Sequence, residues 1–147
     1  MTDDYSPETR RALDDAGWTP GRQVDITNLR HWLESSGFKV SEAAERFLPE
    51  FVGLVFNISG TGITCARTPF EFNPYLAEGE DDRFNEWGEE IGDILTPLGE
   101  LENGLFFLGI TGSGEVCLVE TWVASFGAGK EALENLVRGV RPVVIRK

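Results

Sequence analysis

The chain has 147 residues, 41% of them hydrophobic with ten Phe and four Trp, so it can fold as one domain over residues 1–147 around its own core, without disulfide or metal staples. A formal charge of −12 argues against direct nucleic-acid or membrane-surface binding and favours encounter with basic partners, although the same charge serves solubility alone. Cys65 and Cys117 lie far apart in apolar surroundings and read as reduced. No apolar run approaches the ~20 residues of a membrane helix, and the acidic start Met1-Thr2-Asp3-Asp4 is unlike a signal peptide, so the expected location is the cytoplasm.

The segment from Ser6 to Gly17 predicts a short helix, with Ser6 as cap, Pro7 at the first helical position and Gly17 as stop. After a turn through Trp18-Thr19-Pro20-Gly21-Arg22, a second helix is predicted from about Ile26 to Ser36, with Ile26, Leu29, Trp32 and Leu33 on one face. Ser41 caps a third helix carrying Ala44, Phe47, Leu48 and Phe51 at helical spacing. Pro49 falls inside that pattern and predicts a kink or early end near Leu48. Leu54–Ser59, a tight turn at Gly60-Thr61-Gly62 and Ile63–Phe72 then read as a hairpin.

The most acidic stretch follows, with Phe84, Trp87, Ile91, Ile94 and Leu95 at helical period, and predicts an amphipathic helix capped by Asp81 or Asp82. Gly88 and Gly92 inside it suggest a close backbone approach, most simply to the sheet. Thr96-Pro97 is expected to end this helix. Leu98–Glu102 should then pair with Leu105–Ile110 through Asn103-Gly104, the dipeptide suited to a type I′ turn. A turn at Thr111-Gly112-Ser113-Gly114 leads into Glu115–Glu120, and Thr121–Phe126 continues extended. Leu105–Leu108 and Val116–Val119 are apolar at every position and read as central strands covered on both faces. Lys130–Arg138 forms a last helix stopped by Gly139, and Pro142–Ile145 reads as an edge strand. This order predicts an α+β fold with a mainly antiparallel sheet.

The search for chemistry yields little. The lone histidine, His31, falls on the polar side of its helix, and no cluster with metal-ligand spacing accompanies it. Cys65 and Cys117 lie within predicted strands, where an inert buried thiol is expected. Ser59-Gly60-Thr61-Gly62 and Gly112-Ser113-Gly114 look like fragments of hydrolase or phosphate-loop signatures but lack the strand-to-helix setting. Glu100 with Glu102, and Glu115 with Glu120, are carboxylate pairs of the kind abundance alone produces. The acidic segment differs because it concentrates charge beside aromatic residues. Read as a docking surface for a basic protein, it comprises Glu78, Glu80, Asp81, Asp82, Glu86, Trp87, Glu89, Glu90 and Asp93; read blandly, it is a solvated helix face.

Three stretches carry a likeness to a known family: Ala16-Gly17-Trp18-Thr19-Pro20-Gly21-Arg22, then Ala43 to Leu54, then Pro97-Leu98-Gly99-Glu100 with the distal Gly114-Glu115-Val116-Cys117-Leu118-Val119-Glu120. In this order, with Phe72-Asn73-Pro74 and Asp81-Asp82-Arg83-Phe84 between them, they resemble the third subgroup of the SUKH superfamily of bacterial immunity proteins over nearly the whole chain. The sequence departs at Val52-Gly53, where the family has a Gly pair, and at Cys117, where Tyr is common. The resemblance implies a bent sheet flanked by helices, and an antidote to a cognate toxin domain, often a nuclease or nucleic-acid deaminase. It also implies that Trp18, Arg22, Gly53, Pro97, Gly99 and Glu100 are chiefly structural.

The expectation is therefore a binding protein without catalytic residues or cofactor, neutralising a toxin by occluding its active site. A general protein-interaction scaffold on the same fold is the alternative. A small hydrolase built on Cys65 or Cys117 would require an open pocket holding an activated thiol.

Overall fold

The computed structural model describes residues 5–147; the acidic start Met1 to Asp4 lies outside the described residues. Helix α1 spans Pro7–Ala16, its first turn closed by the Ser6 hydroxyl accepting from the Thr9 amide at 3.2 Å and its end by Gly17 in the left-handed conformation. Helix α2 covers Thr27–Ser35 and buries Leu29 and Leu33. Helix α3 runs Glu42–Phe51 behind the expected Ser41 cap, which accepts from the Ala44 amide.

Pro49 does not stop α3 near Leu48; the helix continues to Phe51. Pro49 removes a single intrahelical bond, the one its amide would donate to the Glu45 carbonyl, and the carbonyls left open by the end of the helix find other donors. The Val24 amide donates to the Pro49 carbonyl at 2.8 Å, and Arg22 donates Nη1 to the Glu50 carbonyl at 2.7 Å and Nη2 to that of Val52 at 2.8 Å. Trp18 Nε1 adds a bond to the Glu50 carboxylate at 3.1 Å. The Trp18–Val24 segment is thus a brace that holds the end of α3.

Among the described residues seven strands follow: β1 Val55–Phe56, β2 Phe70–Glu71, β3 Leu95–Leu101, β4 Phe106–Thr111, β5 Glu115–Val119, β6 Val123–Ala128 and β7 Val143–Arg146. They form one sheet in chain order, every neighbouring pair antiparallel. A 3-10 turn at Pro74–Ala77 and helix α4, Asp81–Ile91, lie between β2 and β3; helix α5, Lys130–Arg138, lies between β6 and β7. The α+β class and antiparallel sheet expected from the sequence are both present.

Several boundaries differ. The first hairpin is far shorter than predicted, because most of residues 57–69 leave the sheet to dock on the end of α5. Ile63 N–H donates to the Arg138 carbonyl, Thr64 and Cys65 N–H to that of Gly139, and Arg67 Nε to that of Val137. Gly60-Thr61-Gly62 is therefore no simple hairpin turn, and Cys65 lies in this loop, half-buried, not in a strand. Helix α4 stops at Gly92, left-handed at φ 72°, so Ile94 and Leu95 fall outside it despite their helical spacing. Asp81 and Asp82 are first-turn residues rather than caps; Glu80 occupies the cap position, its side chain making no capping bond to the helix backbone.

Thr96 and Pro97 belong to β3 instead of terminating a helix. Proline is accommodated there beside a β-bulge, the β3–β4 register shifting between Pro97 and Gly99. The β3–β4 connection is longer than a two-residue turn, with Glu102, Asn103 and Gly104 all at positive φ and Leu105 61% exposed outside the strand. The chain does not continue extended beyond Glu120 but reverses, the Glu120 amide donating to the Trp122 carbonyl.

Strand alternation assigns the two faces. A side chain at Gly109 would meet Phe84 of α4, so Gly109 and its cross-strand neighbour Cys117 point toward α4. Thr96 points the opposite way, where its hydroxyl donates to the Lys39 carbonyl and accepts from the Ser41 amide that begins α3. On that side α5 packs over β6, with Asn135 Nδ2 donating to the Phe126 carbonyl. Central strands β4 and β5 are consequently covered on both faces, as their apolar composition predicts, and Leu108, Val116, Cys117 and Val119 are fully buried.

Candidate functional site

Helix α4 forms because its apolar residues fall on one face and its first turn carries Asp81 and Asp82 at the positive end of the helix dipole. Phe84 is fully buried against Phe38 and Phe107, and Gly88 is buried where the chain turns back, since a Cβ there would lie 2.8 Å from the Asp93 carbonyl oxygen. The close approach foreseen at Gly88 is thus to the chain's own return into β3, while Gly92 is the helix stop. The opposite face presents Asp82, Glu86, Glu89 and Glu90, all exposed.

Beside this helix a groove of about 940 Å³ opens between α4, the β5–β6 turn and the C-terminal residue. Its lining includes the carboxylates of Glu80, Asp82, Glu86, Glu89, Glu90 and Glu120 against only two cations, Arg83 and Lys147. Its floor is tied down. Half-buried Trp87 donates Nε1 to the Glu120 carbonyl at 2.9 Å. Arg83 donates to Glu80 at 2.7 Å and Glu120 at 3.2 Å, its guanidinium 5.7 Å from the Phe107 ring centre. Arg146 of β7 reaches Glu90 at 2.9 Å.

The structure therefore gathers Glu80, Asp82, Glu86, Trp87, Glu89 and Glu90 and leaves three of the sequence-selected residues elsewhere. Glu78 is exposed in the turn before α4 and does not line the groove. The Asp81 carboxylate packs at Gly37, where a Cβ would sit 2.8 Å from Oδ2. Asp93 is committed to the backbone, accepting from Ile94 at 2.7 Å, Gly112 at 3.1 Å and Ser113 at 3.2 Å, so it pins the β4–β5 turn. Arg83, Glu120 and Lys147 were not among the residues assigned to the docking surface from sequence. Arg83 had a signal, standing three residues after Glu80, whereas Glu120 arrives from across the sheet and Lys147 from the end of the chain.

The other candidates are dispersed. Cys117 is fully buried in β5, and burial, then Glu115 and Asp93, push its thiol up to about 12, so it stays protonated and weakly nucleophilic. Glu115 accepts from the Ser125 hydroxyl at 2.6 Å at one end of β5, while Glu120 stands in the groove just past the other. Glu100 faces Glu71 across the β2–β3 ladder; desolvation and that neighbouring charge raise its pKa. Gly112-Ser113-Gly114 is the hairpin turn expected, and His31 is exposed. Among the described residues no group of three or more His, Cys, Asp or Glu side chains is arranged to hold a metal ion, and no helix is long and apolar enough to cross a membrane.

The groove thus combines dense negative charge, an indole held by its own hydrogen bond and a floor bridged by Arg83. Compared with known proteins, residues 5–139 match the family model described as SUKH-3 immunity protein. No curated protein and no solved structure matches the chain.

Proposed function

Because this chain belongs to the SUKH-3 immunity protein family, we propose that it neutralises a cognate toxin domain by seating a basic surface of that toxin in the α4 groove and occluding its active site. The observation that carries this reading is the six carboxylates that line the groove around Trp87 against the lining cations Arg83 and Lys147, with Arg146 a third cation at Glu90. A nuclease or nucleic-acid deaminase must hold phosphates with Lys and Arg, and the same cations are what a carboxylate-rich groove attracts. Charge speeds and selects the encounter, while a desolvated aromatic anchor sets the lifetime of the complex. Trp87 suits the anchor role because its bond to the Glu120 carbonyl already restricts the indole, so little side-chain freedom remains to be lost on binding.

The test is association kinetics with the toxin domain encoded by the adjacent gene. The on-rate should fall with added salt, and Glu86→Lys combined with Glu89→Lys should slow it by roughly tenfold or more without unfolding the chain. Association indifferent to both salt and charge reversal would remove the groove from the account. Failure of that toxin domain to bind at all would remove the antidote role.

A further inference from the structure

The sheet's two edges are unequal. At one edge, β1 has only two residues, α1 packs beside it, and its Phe56 is 1% exposed. At the other, β7 has no pairing strand on its outer side among the described residues, and three consecutive aliphatic residues stand open to solvent: Val143 at 73%, Val144 at 47% and Ile145 at 42%. An open strand edge is a template for another strand, and proteins usually blunt it with Lys, Pro, a bulge or a covering element. Pro142 and Arg146 flank this edge and the β6–β7 register shifts at Ile145, yet Val143 and Val144 run in unbroken register and, among the described residues, no element covers the three aliphatics.

The strand also leads into the acidic groove: Arg146 is paired with Glu90 at 2.9 Å and Lys147 lines the groove itself. A chain laid along β7 would therefore continue over the α4 carboxylates. This choice of occupant follows from charge. A second copy would bring another −12 to an edge bordered by the acidic helix, whereas a basic segment gains at the same place.

We propose that β7 receives an extended segment of the basic partner as an eighth strand, aliphatic where it lies beside Val143 to Ile145 and Lys- or Arg-bearing where it crosses α4. The inference rests on the groove reading above and adds the mode of attachment. Main-chain hydrogen bonds to the free edge supply grip, and alternate side chains against the exposed aliphatics supply selectivity.

Backbone amide exchange tests it, using the full chain with and without the toxin domain encoded by the adjacent gene. In the complex, β7 amides should exchange more slowly. Val144→Gln with Ile145→Gln, uncharged changes at positions already exposed, should weaken binding by about tenfold while the melting temperature and the salt dependence of the on-rate stay as in the parent. If the complex forms with a salt-dependent on-rate but β7 amides exchange as in the free chain, the strand proposal is wrong and the groove reading stands. If β7 is protected without partner and the chain sediments as a dimer, a second copy is the occupant and the proposal is overturned. If no complex forms, the groove reading falls and takes this inference with it.

Discussion

Replacing Gly99 with Ala should damage this fold more than any surface substitution, because the methyl has nowhere to go. A Cβ built on Gly99 would lie 1.9 Å from the Glu71 carbonyl oxygen and 2.8 Å from the Asn73 amide nitrogen, both backbone atoms. Restoring ordinary contact requires β2 to retreat by about 1.5 Å, enough to break hydrogen bonds. Those at stake include the bond from Glu102 N–H to the Pro69 carbonyl at 2.7 Å and the Glu71–Glu100 pairing. Each is worth roughly 0.5–1.5 kcal/mol net, and overpacking adds about 1–3 kcal/mol. Phe70 and Phe72, at 2% and 0% exposure and in ring contact with Phe56, would shift with the strand. Together these give a loss of about 3–5 kcal/mol, which for a chain of this size lowers the melting temperature by about 6–20 °C. Thermal and urea unfolding read it directly. Gly79→Ala is the control: its φ of 84° is also unfavourable, but nothing lies within 4 Å, so it should cost only about 1–2 kcal/mol. A Gly99→Ala protein that melts within 2 °C of the parent, or no lower than Gly79→Ala, would falsify the steric argument.

Glu134 ties α5 to the start of α1, accepting from the Ser6 amide at 2.6 Å, the Ser6 hydroxyl at 2.8 Å and the Thr9 hydroxyl at 2.7 Å. Burial pushes its pKa up, but these bonds and nearby Arg138 outweigh burial and hold it below the ordinary value. A lowered folded pKa means stabilisation present above the unfolded carboxylate range and lost as pH falls through the folded value. Glu134→Gln should therefore lower the urea midpoint at neutral pH, with the gap closing in acid; a gap that widens in acid contradicts the assignment. Arg22→Lys should cost about 1–3 kcal/mol in urea unfolding, since one ammonium cannot hold the carbonyls of Glu50 and Val52 in the paired geometry of the guanidinium. A thiol probe applied to the native protein should label half-buried Cys65 and spare Cys117 until denaturant is added; equal labelling of both would contradict the packing of β5.

Local signals were legible wherever the physics is local. Ser6 and Ser41 cap the helices their positions predict, Gly17 and Gly139 end theirs in the left-handed conformation, and the 3.6-residue period marks the acidic helix. Readings failed where a neighbour remote in sequence supplied the missing partner. α3 runs two residues past Pro49, to an end at which Arg22 and Val24 satisfy the terminal carbonyls. Ile94 and Leu95 keep helical spacing, but Leu95 is buried as the first residue of β3 and Ile94 is exposed. The reversal at Glu120 to Trp122 has no Gly or Pro to announce it.

The acidic helix illustrates the division. Its composition and period already made it an amphipathic, negatively charged element able to meet a basic protein, since charge and helical phase are properties of neighbouring residues. Which of its carboxylates remain available is a different matter. Asp93 is consumed by the β4–β5 turn and Asp81 by packing at Gly37, while Glu120 and Lys147 join the groove from distant parts of the chain. That selection depends on how β5, β7 and α4 converge in space, and only packing of the sheet brings such remote residues within a few ångströms of one another.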